Sequence, residues 1–161
     1  AKAPKIRLNL ACAGMLALPR RMDILTERIE EAAMNKLRHI AMQVPDLEKA
    51  ARFYEVVFEM KRVGEAESPV GNAISLSDGI MNLTLLNFPD GKGGMLHNQD
   101  WAGLHHFGFV VDDKEAIGQK IKELGGAYFM ELPEYPGVDA ETKYKDVNGV
   151  VFDVSDHDWR L

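Results

Sequence analysis

Two histidines and one aspartate have the side chains and the spacing that a metal site requires. His39 and His106 each lie in a stretch of alternating apolar and polar residues, the pattern of a β-strand with one buried face. Asp153 lies in a similar stretch near the end of the sequence. Two imidazoles and one carboxylate suit one divalent ion of Fe, Mn, Zn, Ni or Co, and they leave coordination positions open for water or substrate.

Strand alternation predicts that these three side chains share one face of a sheet. The apolar neighbours expected on the opposite face, under helices, are Ile40, Met42, Val44, Leu83, Leu85, Phe107, Phe109, Val111, Val150, Phe152 and Val154. The same parity brings Asn82 to the polar face, either as a weak fourth ligand or as a hydrogen-bonding partner of a ligand. Asp153 is the only carboxylate that we expect on that face. His105 points the other way and is interpreted as structural.

An internal repeat supports this placement. His39 and His106 are 67 positions apart, and the pairs Val44/Val111 and Asp46/Asp113 have the same spacing. In each copy an aspartate suited to cap a helix follows the first strand, and a turn, Asp78-Gly79 or Asn148-Gly149, precedes the last one. The predicted strands are 37–44, 61–66, 72–77, 80–87, 104–111, 127–131, 141–145 and 150–155.

These elements predict an α+β fold of two tandem βαβββ modules. We expect them to close a cup-shaped, eight-stranded antiparallel sheet with the helices outside. Module one is 37–88, the linker is 89–102 and module two is 103–158, within a domain of 37–161. Residues 1–36 form an N-terminal extension in which 19–36 has the apolar stripe of an amphipathic helix. We expect this helix to lie at, or to clasp, a homodimer interface.

Three stretches resemble the vicinal oxygen chelate superfamily, which includes glyoxalase I, bleomycin resistance proteins, methylmalonyl-CoA epimerases and extradiol dioxygenases. They are LRHIAMQVPDLEKAARFY (37–54), GLHHFGFVVDD (103–113) and KDVNGVVFDVS (145–155). The resemblance covers about residues 37–158. It implies paired βαβββ modules with a metal held from their first and last strands, at positions that match His39, Asn82, His106 and Asp153.

The resemblance implies a metal-dependent enzyme. Differences between this sequence and each branch of the superfamily limit the reactions that we expect it to catalyse. Asn82 stands where glyoxalase I carries a glutamate and the epimerases a glutamine. The leading expectation is lyase or isomerase chemistry on a small oxygenated substrate, through an enediolate that the metal stabilises. One alternative is an Fe(II) dioxygenase using the triad of His39, His106 and Asp153, and another is a non-catalytic drug-binding protein. No proton carrier is assigned, and Tyr144 is a weak candidate.

Composition excludes several other classes of function. The 161 residues carry 19 Lys+Arg and 25 Asp+Glu, a formal net charge of −6 without a basic stripe, which argues against nucleic-acid or membrane-surface binding. A small-molecule substrate is therefore the expected partner. The single cysteine, Cys12, excludes a disulfide scaffold and is compatible with a cytoplasmic protein. The apolar stretch 8–18, flanked by basic residues, is interpreted as a docked segment in preference to a targeting peptide.

Overall fold

Eight strands and two helices follow one another in the order βαβββ-βαβββ in the part of the chain that the structure describes. The structure is a computed structural model, which describes residues 35–68, 71–89, 98–134, 136 and 140–161. The strands are β1 (Lys36–Gln43), β2 (Lys61–Ser68), β3 (Gly71–Ser77), β4 (Asn82–Asn87), β5 (Gly103–Val110), β6 (Ala127–Leu132), β7 (Glu141–Lys145) and β8 (Val151–Ser155). The helices are α1 (Leu47–Phe58) and α2 (Lys114–Glu123).

The tandem βαβββ prediction is confirmed, with strand ends that differ from the predicted ones by at most two residues. The predicted amphipathic helix at 19–36 lies outside the described residues except for its last two positions, and β1 already begins at Lys36. The homodimer stays a prediction. No helix within the described ranges is long and apolar enough to cross a membrane.

The strands form one mixed sheet in the order β2-β3-β4-β1-β5-β8-β7-β6. The prediction of a wholly antiparallel sheet is wrong for two pairs, because β1 lies parallel to β4 and β5 lies parallel to β8. In each module the helix crosses back over the sheet, so the second strand has the same direction as the first. Two hairpins then preserve that direction, so the fourth strand enters beside the first one in parallel. The two modules meet through the antiparallel pair of β1 and β5.

Local sequence signals fix where the helices and the last hairpins begin. The Asp46 carboxylate accepts a 3.0 Å hydrogen bond from the Lys49 amide at the start of α1. Asp113 accepts a 2.9 Å bond from the Ala116 amide at the start of α2. Each aspartate satisfies an amide that has no partner within the helix. Gly79 and Gly149 have φ values of +90° and +86°, which a residue without a Cβ adopts at little cost.

Both helices pack on the same face of the sheet, over the apolar positions that alternation predicted. The cluster under α1 contains Val44, Ala51, Ile74, Leu76 and Leu85, with Met42 and Leu83 against it. The cluster under α2 contains Val111, Tyr144 and Val154, with Phe109, Ile117, Ile121 and Phe152 against it. The opposite face, which we call the polar face, carries His39, Asn82, His106 and Asp153. These four residues are at most 5% exposed although they lie on the face opposite α1 and α2.

Truncation of Leu85 should show that the cluster under α1 holds the first module together. Leu85 is fully buried, so Leu85→Ala should lower the free energy of unfolding by roughly 2–5 kcal/mol. Leu104 is 53% exposed, so Leu104→Ala should change it by less than about 0.5 kcal/mol. Urea unfolding followed by circular dichroism measures both variants, and equal losses would contradict this account of the core.

Candidate metal centre

The sheet brings His39, His106 and Asp153 together at its middle. They lie on β1, β5 and β8, three strands that are neighbours in the sheet. His39 Nε2 is 3.3 Å from His106 Nε2, which is 3.0 Å from Asp153 Oδ2. A candidate ligand atom from each residue lies within 4.8 Å of the other two. The predicted convergence of these three residues is therefore present in the structure.

The donor atoms fit a metal ion. Ligand atoms bound at 2.0–2.2 Å and at right angles to one another would be about 3 Å apart, close to the two short distances found here. Asp153 Oδ2 is buried and accepts no hydrogen bond from the described residues, although His106 Nε2 is near it. A buried carboxylate oxygen without a donor is costly, and a cation placed among these atoms would remove that cost.

Asn82 determines which nitrogen of His39 carries the proton. Its Oδ1 lies 2.8 Å from His39 Nδ1 and also accepts a 2.8 Å bond from the Thr84 hydroxyl, while its Nδ2 donates to the Arg160 carbonyl. Because Oδ1 can only accept, His39 must donate from Nδ1. The lone pair of His39 Nε2 then faces the other candidate ligands, the arrangement in which a partner orients a metal-binding histidine.

His106 has a comparable partner in His105. The two Nδ1 atoms are 2.6 Å apart, and the His105 ring also packs against Phe88 at 5.4 Å. When His106 Nδ1 donates this bond, its Nε2 retains a lone pair toward Asp153. His105 can therefore orient the His106 ring, but it does not determine the tautomer as Asn82 does for His39.

A lysine and a second carboxylate also reach the centre, and the sequence analysis missed both. Lys143 Nζ lies 2.7 Å from Asp153 Oδ1 and 2.9 Å from Glu141 Oε2. The expectation that Asp153 is the only carboxylate on the polar face is therefore wrong. Tyr144 packs under α2, so alternation along β7 places Glu141 and Lys143 on the polar face. Applying strand parity to β7 as well would have found them.

The C-terminal residues cover one side of the centre. The Trp159 ring stacks on His39 with centroids 4.7 Å apart, and its Nε1 donates a 2.9 Å bond to Glu141 Oε1. Gly108 makes this possible, because a Cβ there would lie 2.6 Å from the indole ring. Gly108 pairs with His39 on one side and Asp153 on the other, so it leaves room between them.

Tyr144, the weak candidate for proton transfer, lies elsewhere. It belongs to the buried cluster under α2, and its hydroxyl is next to Gly118 of that helix. Burial raises the pKa of Tyr144, which opposes ionisation. The structure does not bring this hydroxyl to the three candidate ligands.

Burial and neighbouring charges shift the pKa values of the titratable groups in the centre. Burial lowers the pKa of His39, against the raising effect of Glu141 and Asp153. Burial, with the nearby Lys143 ammonium, holds the pKa of His106 well below its ordinary value. Burial opposes the charged form of Lys143, but Glu141 and Asp153 outweigh it and raise the pKa of this lysine. These shifts favour the neutral form of both histidines, which metal ligands require, and the cationic form of the lysine.

Comparison with known proteins agrees with the fold. Residues 36–154 match the family model of the Glyoxalase/Bleomycin resistance protein/Dioxygenase superfamily. The chain belongs to this superfamily. The matched range contains both βαβββ modules and the three candidate ligands. A search of the curated proteins found no match.

Several solved structures share the fold of this superfamily member. A hypothetical protein from Bacillus halodurans C-125 is 21% identical with a TM-score of 0.67, over 79% of this chain and 97% of the other. A methylmalonyl-CoA epimerase in complex with methylmalonyl-CoA and NH4+ is 20% identical with a TM-score of 0.61, over 75% and 93%. The methylmalonyl-CoA epimerase from Mycobacterium tuberculosis is 16% identical with a TM-score of 0.58, over 76% and 89%.

The metal-free protein should lose stability as the pH falls through the histidine range. An unfolded histidine has a pKa of about 6.5, whereas burial lowers the pKa of His106 in the folded state. Below pH 6.5 the unfolded chain therefore binds more protons, and each one costs up to about 1.4 kcal/mol per pH unit. Unfolding free energies measured with a chelator between pH 7.5 and about pH 5 should fall less steeply in His106→Gln than in the wild type. Equal slopes would show that His106 is not held neutral by the fold.

Proposed function

We propose that this protein is a metal-dependent enzyme with isomerase or lyase chemistry on a small oxygenated organic substrate. The observation that carries the proposal is the convergence of His39 Nε2, His106 Nε2 and Asp153 Oδ2, with the last oxygen buried and lacking a donor among the described residues. These three side chains would hold one divalent ion. When bound, the ion would act as a Lewis acid toward substrate oxygens and stabilise the negative charge of an enediolate.

The protein's own residues define the rest of the chemistry. Asn82 fixes the tautomer of His39, and the stacked ring of Trp159 excludes water from one side of that imidazole. Lys143 places a permanent positive charge beside the centre. With a divalent ion bound as well, this positive charge would favour an anionic substrate and would stabilise the negative oxygen of an enolate. A small carboxylate or carbonyl compound is therefore the substrate class that we propose.

The structural neighbours support the isomerase reading. Two of the solved structures described above are methylmalonyl-CoA epimerases, one of them in complex with methylmalonyl-CoA. Epimerisation next to a carbonyl removes and returns one proton, and it requires stabilisation of an enolate oxygen. A centre of two imidazoles, one carboxylate and a nearby ammonium group offers that stabilisation.

An Fe(II) dioxygenase is the second candidate, because of how Asn82 is used. Its Oδ1 already accepts hydrogen bonds from His39 and Thr84, which leaves two histidines and one carboxylate as ligands. That set is the one found in non-haem Fe(II) oxygenases. A non-catalytic drug-binding role is the third candidate. It would not explain why His39, His106 and Asp153 converge.

Metal retention should depend strongly on Asp153 and weakly on Asn82. Asp153→Ala removes the anionic ligand and should nearly abolish binding of Co²⁺ or Zn²⁺ at neutral pH. Asn82→Ala removes a partner of a ligand and should weaken binding by roughly 10–100-fold. Equilibrium dialysis followed by metal analysis measures both. Equal damage would make Asn82 a full fourth ligand and exclude the three-ligand dioxygenase reading.

Isomerase and dioxygenase activity can be distinguished by incubating the metal-loaded protein with a panel of small acids and thioesters that includes methylmalonyl-CoA. We expect deuterium from ²H₂O to enter the carbon next to the carbonyl, seen by NMR, and we expect His106→Ala to abolish this exchange. Oxygen uptake with Fe²⁺ and no exchange would favour the dioxygenase. Tight binding of metal with neither reaction on any compound would count against an enolate mechanism for these substrates.

A further inference from the structure

We propose that Lys143 is an internal cation that competes with the metal ion for His106 and Asp153, so that the position of its ammonium group sets the metal affinity of the centre. The inference rests on the metal centre proposed above and adds a means of regulating it. It assigns a role to a buried charged residue that neither the fold nor the ligand set requires.

The ammonium group of Lys143 lies close to two of the three residues that would bind the metal ion. Lys143 Nζ is 2.7 Å from Asp153 Oδ1 and 3.5 Å from His106 Nε2. It therefore neutralises one candidate ligand and lies at the edge of hydrogen-bonding distance from the lone pair of another. A divalent ion bound to the same two residues would be within a few ångströms of a second positive charge, in an interior that screens charge poorly.

Glu141 gives the ammonium group a second position to occupy. Its Oε2 is 2.9 Å from Lys143 Nζ, and its Oε1 accepts the hydrogen bond of Trp159. Because Trp159 holds this carboxylate in place, the lysine can release Asp153 and remain paired with Glu141. Lys143 is 8% exposed, so moving its charge into water instead would require the structure around its side chain to open.

The formal charges explain how Lys143 would oppose metal binding. Asp153, Glu141 and Lys143 together carry a net charge of −1 without metal, which becomes +1 when a divalent ion binds. Without the lysine the same residues would carry −2, which a divalent ion would neutralise. Lys143 therefore stabilises the metal-free protein and weakens metal binding, because a buried carboxylate without a cation is strongly destabilising.

The test is Co²⁺ binding to the full-length protein, by competition with a chelator of known affinity. Lys143→Met keeps the length of the side chain and removes its charge, and it should bind Co²⁺ about tenfold tighter or more, in the range by which residues around a metal tune affinity. Lys145→Met is the matched control. It lies on the same strand, but its ammonium group sits 4.0 Å over the Phe129 ring, so its Co²⁺ affinity should stay that of the wild type.

Thermal unfolding gives a second readout with the opposite sign. Metal-free Lys143→Met should unfold at a lower temperature than wild type, because Asp153 loses its cation. Saturating Co²⁺ should raise its unfolding temperature by more than it raises that of the wild type, as linkage requires for a tighter ligand. If Lys143→Met does not fold without metal, Glu141→Gln replaces it. That change removes the charge of the other carboxylate that Lys143 contacts, so the ammonium group would pair more strongly with Asp153 and Co²⁺ binding should weaken.

The outcomes separate this inference from the metal centre itself. Tighter binding in Lys143→Met, or weaker binding in Glu141→Gln, supports competition by the lysine. Metal bound by wild type, with equal or weaker binding in Lys143→Met, would overturn the inference and leave the metal centre standing. If neither the wild type nor Lys143→Met binds Co²⁺, both the inference about Lys143 and the proposed metal centre are overturned.

Discussion

The buried carboxylate of Asp153 is the constraint on which the centre depends. It is fully buried in the middle of a sheet, where an isolated negative charge is not tolerated. One oxygen is paired with Lys143, and the other faces His106 without a hydrogen bond from the described residues. The lysine needs Glu141, and Glu141 is held by Trp159. A single buried charge thus links two strands and the C-terminal segment.

The topology explains how four distant stretches of sequence supply one site. In each module the last strand lies parallel to the first, and the first strands of the two modules pair with each other. The four strands that carry the site are therefore adjacent, in the order β4-β1-β5-β8. His39 pairs with Asn82 and with Gly108, and Gly108 pairs with Asp153. Because the glycine has no side chain, the residues on either side of it can face one another.

Much of this arrangement can be predicted from the sequence, because the alternation of apolar and polar residues and the 67-residue repeat independently assign the same side chains to the polar face. They predicted the module order, the helix caps and the convergence of His39, His106 and Asp153. They did not predict the parallel pairs, because the alternation of side chains is the same whichever way a neighbouring strand runs. Lys143 and Glu141 were missed for another reason. A short strand of charged residues reads as solvated surface until Tyr144 is known to lie in the core.

The apolar packing and the candidate metal centre lie on opposite faces of the sheet. The clusters under α1 and α2 are apolar and lie on one face, so the energy of folding comes mainly from that side. The polar face buries two histidines, two carboxylates and a lysine, which costs desolvation energy and returns it only through pairing. An apolar core of the same volume would be easier to build. Polar groups buried in such a position, with the tautomer of His39 fixed by Asn82, are better explained by chemistry than by packing.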